Sequence, residues 1–328
     1  MATQTEVLKQ LIEAAPEYCS GDQLAQQFGI SRTAIWKTIQ GLQTAGYTIE
    51  SRHGRGYRYV ATNQLSATVI QMGLPSDLAL QLVVLPTVDS TNAYLKRLVS
   101  RTKLTQPTVV IAETQTAGYG RSGRDFYSPE STGIYLSIGL PMPSQQTFDP
   151  GLLTTSTAVT VAKTLTALFD VKVELKWVND VLVNHHKAVG ILSEAVADLE
   201  GGQISTVIVG IGINLTTQNF PGALSSKAGA ITAQTDVTRN QVIVKLLTEF
   251  FNNYQTYTTG DFMTDYRRLS MVINQQVELK SGAKIIKGVV KDIDSTGALV
   301  VQLPSGRVQR VSSGEITKVN LLTGDYHG

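Results

Sequence analysis

The stretch of this chain best suited to chemistry is Gly118-Tyr119-Gly120-Arg121-Ser122-Gly123-Arg124. Taken literally it is the G-x-G-x-x-G of a dinucleotide-binding turn. That turn needs a strand before the glycines and a helix directly after them, because the pyrophosphate rests on the helix N-terminus. The residues that follow, "RDFYSPESTG", hold Pro129 and Gly133 and lead into a strand, so the dinucleotide reading fails. A Walker loop fails as well, for want of G-K-[ST] and its spacer. What remains is a glycine-loosened loop presenting two guanidiniums. Glycines let the backbone approach a ligand and change shape on binding, and arginines hold phosphate bidentately. The loop is built for an anion.

The elements around it belong to a sizeable domain. "LQLVVLPTVDSTNAYLKRLV" predicts a strand, a turn, and a helix capped by Ser90 or Thr91. "PTVVIAETQTAG" and "GIYLSIGL" predict two more strands. "PGLLTTSTAVTVAKTLTALF" has helical spacing at Leu153, Val161, Leu165 and Leu168, with a threonine content poor for an autonomous helix. "VKVELKWVND" alternates Val171, Val173, Leu175 and Trp177 with Lys172, Glu174 and Lys176, which predicts a half-buried strand with Lys176 on its polar face. A hairpin over "VLVNHHKAVGILSEAV", a strand over "ISTVIVGIGINL" and helix over 240–270 follow. His185 and His186 read as turn residues rather than metal ligands. Strands in runs imply an α+β domain with a mixed or antiparallel sheet.

A different module precedes it. Val7, Leu8, Leu11, Ile12 and Ala15 predict an amphipathic helix ending before Pro16. Ser20 and Gln23 form a capping box for a second helix that Gly29 stops, and Ser31 caps a third with Ala34, Ile35, Ile39 and Leu42 inward. That is a helix-turn-helix, and "YTIESRHGRGYRYV" after it predicts the hairpin wing of a winged helix. Residues 1–30 hold one lysine against four carboxylates, net −3, whereas residues 31–60 hold five cations against Glu50, net +4. The positive charge lies on the third helix and the wing, the elements that would meet DNA. Arg32, Thr33, Lys37 and Gln40 on the helix and Arg55 at the wing tip are the candidate contacts; Trp36 suits either that role or half-buried packing. A dimer reading two half-sites is expected.

Residues 62–76 read as a linker. From Asn274, short apolar strands at 277–279, 284–290, 298–303 and 307–311 are separated by "KSGAK", "DSTGA" and "PSGR", turn chemistry that suggests a small barrel. The chain of 328 residues carries a formal net charge of +2, so any basic footprint is local. Its one cysteine, Cys19, excludes an internal disulfide framework and C-x-x-C sites. No secretory segment and no run long enough to span a bilayer is read, so a cytoplasmic protein with no membrane partner is expected.

Together, "DSTN" (89–92), "ETQTAGYGRSGR" (113–124), "KWVND" (176–180), "KAVGIL" (187–192) and "GIGIN" (210–214) resemble the biotin–protein ligases. With the winged helix, the likeness is to their bifunctional form, which is also a biotin operon repressor. The resemblance implies three parts: a winged helix-turn-helix over 1–62, a mixed-sheet ligase domain over 63–272, and an SH3-like barrel over 273–328. It implies that biotin is joined to AMP from ATP, with magnesium arriving on the ATP and no dedicated metal cluster. The biotinyl group then passes to a lysine of a biotin carboxyl carrier protein. Two anions meet in that first step, so Lys176 would bridge carboxylate and phosphate while Arg121 and Arg124 cover the adenylate.

By the same resemblance Ser90, Thr91, Asn92 and Gln115 bind the ureido ring, with Tyr119, Gly120, Arg121 and Lys176 also at the biotin. Gly210 and Gly212 leave space beside the valeryl chain, and Trp177 and Ile191 supply apolar wall. Asn179, Lys187 and Asn214 lie near the nucleotide. Repression would use the biotinyl-adenylate as corepressor, operator DNA as target and a ligand-promoted homodimer. The sequence departs from the family twice. Tyr119 stands where G-R-G-R-x-G-R has its first arginine, which implies weaker biotin affinity, and Val178 stands for the proline of K-W-P-N-D. The alternative is a ligand-sensing repressor with an impaired ligase domain, which Tyr119 favours and Lys176, Arg121 and Arg124 oppose. A lipoate-attaching enzyme of the same superfamily is a further rival, against which the winged helix and barrel count.

Overall fold

The computed structural model describes residues 4–143, 148–197, 202–321 and 324–327, and the chain divides into two compact units. The first comprises Met1–Asp77 together with Asp236–Val244. It opens with α1 (Gln4–Ala14), α2 (Gly21–Phe28) and α3 (Arg32–Thr44). Ser20 and Gln23 close the capping box on α2, and Gly29 ends it in the left-handed conformation at φ 63°. Ser31 accepts from the Ala34 amide to start α3. Val7, Leu8, Leu11, Leu24, Ile35, Ile39 and Leu42 form one core with Ile49 and Tyr59 of the antiparallel hairpin β1 (Ile49–Arg52) and β2 (Gly56–Tyr59). Ala34, expected in the buried stripe, is only half-buried.

The linker reading of 62–76 is corrected. Ser66 caps a helix, α4 (Ala67–Gly73), whose Ile70 is fully buried. Residues 236–244 complete this unit. The buried Arg239 donates to the Asn63 carbonyl, and Asn240 donates to the Gln64 carbonyl at 2.7 Å while accepting from the Ser66 amide at 3.1 Å.

The second unit comprises Leu78–Thr235 and Lys245–Gly328. Its elements begin with β3 (Gln81–Val88), α5 (Thr91–Val99), β4 (Thr108–Gln115), β5 (Ile134–Pro141) and α6 (Pro150–Phe169). Then come β6 (Val173–Lys176), β7 (Asp180–Val183), β8 (His186–Ala197) and β9 (Ile204–Ile213). The seven strands make one sheet in the order β3-β4-β5-β9-β8-β7-β6, parallel only between β3 and β4. Helix α7 (Arg239–Tyr254), whose residues up to Val244 belong to the first unit, and α8 (Met263–Leu269) follow. The chain ends in a six-stranded antiparallel sheet of β10 (Gln276–Ser281), β11 (Lys284–Ile293), β12 (Leu299–Gln302), β13 (Val308–Val311), β14 (Glu315–Leu321) and β15 (Gly324–His327). The last two strands carry no signal in the sequence reading, and β14 proves to pair with the first strand, β10.

Helix α6 shows how burial overrides propensity. Asp149 caps it and Pro150 begins it. The hydroxyls of Thr154, Thr155, Thr157 and Thr160 each donate to a carbonyl four residues back, so they are buried without loss of a partner. By length and a mean hydropathy of 1.3 this helix is apolar enough to cross a membrane, contrary to the expectation of no such run, yet 67% of its most apolar 18-residue stretch is buried within the protein.

Candidate functional site

A cavity of about 700 Å³ opens in the second unit. At one end, Ser90 caps α5 and places Thr91 and Asn92 in its first turn, all three buried. Gln115 at the end of β4 accepts from the Thr91 amide at 2.9 Å and donates to Ser128 at 2.9 Å. These four residues line one end of the cavity with neutral hydrogen-bonding groups and no charge.

The floor is set by strand pairing. Gly212 lies opposite Gly190 on β8 and Tyr135 on β5, and Gly210 lies opposite Ser137. A Cβ on Gly210 would fall 2.4 Å from Asn92 Oδ1, and one on Gly212 would fall 2.6 Å from the Phe126 ring. The two glycines thus make room for the protein's own side chains, and Asn92 and Phe126 in turn face the cavity. Trp177 and Ile191 are buried in its wall, the indole donating to the Gly297 carbonyl at 2.8 Å.

The other end is charged. Lys176, the last residue of β6, is 3% exposed and lines the cavity, which corrects its expected place on an exposed polar face. The backbone edge of β6 is covered, Leu175 bridging Ser270 and accepting from the Met271 amide at 3.0 Å, while Lys176 faces the cavity beside Asp180, Lys187, Glu315 and Arg124. Lys172 remains in solvent, as the alternation predicts. Burial lowers the pKa of Lys176, with Lys187 and Arg124 lowering it further and Asp180 and Glu315 opposing them. Lys187 pairs with Asp180 at 2.7 Å, and Asn179 donates to the Ile191 carbonyl at 2.9 Å. Asn214 donates to the Lys187 carbonyl, and its Oδ1 is buried with no hydrogen-bond partner among the described residues. His185 sits in the β7–β8 turn at φ 62°, with Nδ1 3.0 Å from Glu174. Among the described residues no group of three or more His, Cys, Asp or Glu is arranged to hold a metal.

The Gly118–Arg124 loop is a closed turn that runs from Gln115 and Ser128, beside Gly118, to the charged end. The Gly120 amide donates to the Arg124 carbonyl at 2.7 Å, and Ser122 and Gly123 both adopt left-handed backbone at φ 59° and 72°. Tyr119, Gly120, Arg121 and Arg124 line the cavity. Both arginines already have partners: Arg121 donates to the Gly314 carbonyl at 2.6 Å, and Arg124 forms a bidentate ion pair with Glu315. The Tyr119 hydroxyl donates to Glu194 at 3.0 Å.

Every residue that the sequence assigns to the biotin and nucleotide ends lines this one cavity. Sequence reasoning misses Phe126, Tyr127, Phe220, Asp180, Lys227 and Glu315, which also line it. Phe126 and Tyr127 follow the arginine loop directly, a signal within reach. Glu315 lies 191 residues from its partner Arg124, and nothing local announces it.

In the first unit Thr33, Trp36, Lys37, Gln40 and Arg55 are exposed, Trp36 at 52%, which places its ring on the surface and not in the core. Arg32 is exposed too, in a 2.9 Å pair with Asp22. Arg58 is drawn onto the module itself, bonded to Glu50 and stacked 4.7 Å above the Tyr18 ring.

Three families match the chain: "Biotin/lipoate A/B protein ligase family" over residues 84–214, "HTH domain" over 3–58, and "Biotin protein ligase C terminal domain" over 272–319. The bifunctional ligase/repressor BirA of Bacillus spizizenii is 30% identical over 323 residues, covering 95% of this chain and 97% of that protein. The protein of the same name from Escherichia coli K12 is 31% identical over 308 residues, covering 92% and 93%. Among solved structures, the biotin protein ligase of Aquifex aeolicus in complex with biotin and ATP superposes with a TM-score of 0.61 at 25% identity, covering 72% of this chain and 97% of that one. With its likeness to bifunctional relatives running almost end to end and the same three regions in the same order, the chain belongs to the biotin protein ligase family, in its bifunctional ligase/repressor form.

Proposed function

We propose that this protein joins biotin to AMP and passes the biotinyl group to a lysine of a biotin carboxyl carrier protein of acetyl-CoA or pyruvate carboxylase. The observation that carries the reading is the polarity of the cavity, neutral at Ser90, Thr91, Asn92 and Gln115 and cationic at Lys176, Lys187, Arg121 and Arg124. A ureido ring needs fixed, uncharged partners, whereas a carboxylate and a phosphate brought together need cations already in place. In the first step the biotin carboxylate oxygen bonds to the α-phosphorus of ATP and the bond to pyrophosphate breaks. Lys176 holds both anions, and magnesium enters on the ATP. Asn179, Lys187 and Asn214 serve the nucleotide, and the buried Asn214 Oδ1 offers an acceptor to a ligand N–H. In the second step the acceptor amine attacks the acyl carbon and AMP leaves. The anhydride is activated already, so no Ser–His or Cys–His pair is required.

The biotinyl-adenylate is also the corepressor. It stays bound when acceptor is scarce and favours a homodimer that binds operator DNA through Arg32, Thr33, Trp36, Lys37, Gln40 and Arg55, which it can do only by binding the dimer-competent state better. Biotin, ATP and a DNA target all suit a protein that works in the cytoplasm.

The test is mass spectrometry of a carrier domain incubated with the protein, biotin and MgATP. One biotinyl group per acceptor, lost with Lys176→Ala and undiminished by excess lipoate, supports the ligase. An unmodified acceptor with biotin still bound identifies a sensor whose ligase domain is impaired.

A further inference from the structure

The ligand loop carries an uncharged phenol at position 119, and that phenol ends on a carboxylate. Glu194 of β8 accepts from three side chains: Tyr119 at 3.0 Å, Asn92 Nδ2 at 2.8 Å and Lys96 Nζ at 2.6 Å. Of the three only Lys96, on α5, is a cation, and its ammonium lies 5.6 Å from the centre of the Tyr119 ring. A guanidinium at position 119 would reach the same carboxylate, since the phenol does.

We infer that Lys96 supplies from α5 the positive charge that the loop lacks at position 119, and that Lys96 and Glu194 are positioning residues for the ureido end of the biotin site. The inference rests on the proposed ligase reading. A carboxylate can only accept hydrogen bonds, so Glu194 obliges Asn92 to turn its amide nitrogen outward and its Oδ1 toward Ser137. The Ser137 hydroxyl also lies 2.6 Å from Thr91 Oγ1, which donates to Gln115 Oε1 at 3.2 Å. The ionised carboxylate therefore fixes which way the Asn92 amide faces, and with it the Ser137 hydroxyl, whose single proton goes to Asn92 Oδ1, at the end of the cavity that would hold the ureido ring. Burial alone would raise the Glu194 carboxyl; hydrogen bonds from Lys96 and Asn92 and the Lys96 charge outweigh it and hold the group below the usual carboxylate range. Tyr119 ties the loop to the same point without adding charge.

The test is charge relocation in the full-length protein. Biotin affinity is measured by calorimetry, with KM for biotin and for ATP in pyrophosphate release. Lys96→Leu is expected to weaken biotin about tenfold, the loss of one charged hydrogen bond, and to leave the ATP KM unchanged. Adding Tyr119→Arg to that variant restores biotin affinity, because the guanidinium pairs with Glu194. Tyr119→Arg in the otherwise unaltered protein puts two cations on one carboxylate, so its effect on biotin affinity is smaller than in the Lys96→Leu background. Unchanged biotin affinity in Lys96→Leu overturns the inference, as does a parallel rise in both KM values or a folded double variant with no recovery. Should Lys96→Leu fail to fold, Lys96→Gln with and without Tyr119→Arg gives the same comparison. If the unaltered protein binds no biotin at all, the ligase reading itself fails, which is a distinct result.

Discussion

Lys176 is an ammonium held in a place that disfavours its charge. Burial pulls its pKa down, and the nearby Lys187 and Arg124 add to that, against Asp180 and Glu315. Anions entering the cavity reverse the balance, so binding is coupled to keeping a proton. Lys176→Met should reduce pyrophosphate release about 10²–10³-fold, the loss from removing one preorganised group that stabilises transition-state charge. The pH dependence has a definite sign. The charged form is the active one, so kcat/KM for biotin falls as pH rises, along a limb below the pKa of an ordinary lysine. Glu315 raises the Lys176 pKa, so Glu315→Gln should move that limb to still lower pH. A limb that stays put in Glu315→Gln would show that the carboxylate does not act on Lys176.

At the scale of elements, the site depends on how closely strands and a helix approach. Gly210 on β9 has no room for a methyl group beside Asn92, so Gly210→Ala must displace the α5 start or the amide. Overpacking of that kind costs about 1–3 kcal/mol, and calorimetry should find it as weaker biotin binding with little change for ATP. The capping box on α2 is a separate case. Ser20→Ala should destabilise the first unit by about 1 kcal/mol, read as a lower melting temperature of that unit with biotin binding intact.

Elements of this sort are where the sequence is most legible. Ser20, Ser31, Ser90 and Gly29 announce helix ends through local chemistry, and the structure has them there. The cavity lining is legible only through motif resemblance, because it gathers residues from β4, α5, β6, β8 and β9. The misplaced features share one cause. Lys176 lies in a cavity closed in part by the distant Arg124 and Glu315, and the residues leading into α4 are bonded by Arg239 and Asn240. Alternation along a strand reports its two faces and says nothing of what later covers them.

At the scale of the molecule, chemistry and DNA reading are assigned to different compact units, so they should be separable by mutation. Lys37 and Arg55 are exposed on the first unit and absent from the cavity lining. Lys37→Ala and Arg55→Ala should each weaken operator binding across sequences and lower the slope of log affinity against log salt by about 0.9, while acceptor biotinylation proceeds at the unaltered rate. Gel-shift titrations at several salt concentrations, run beside the mass-spectrometric assay, check both halves. A fall in biotinylation with either variant would count against the division of labour.

The first unit is also discontinuous, and this bears on how the protein comes into being. Its last portion, Asp236–Val244, is translated only after β3 to β9 have been made. A nascent chain halted before Asp236 has no Arg239 for the Asn63 carbonyl, no Asn240 for Gln64 and Ser66, and no Val244 side chain against Gly73. The first unit is therefore completed by a segment encoded downstream of β9. A message cut before Asp236 yields the Val7–Tyr59 core without the segment that completes its unit.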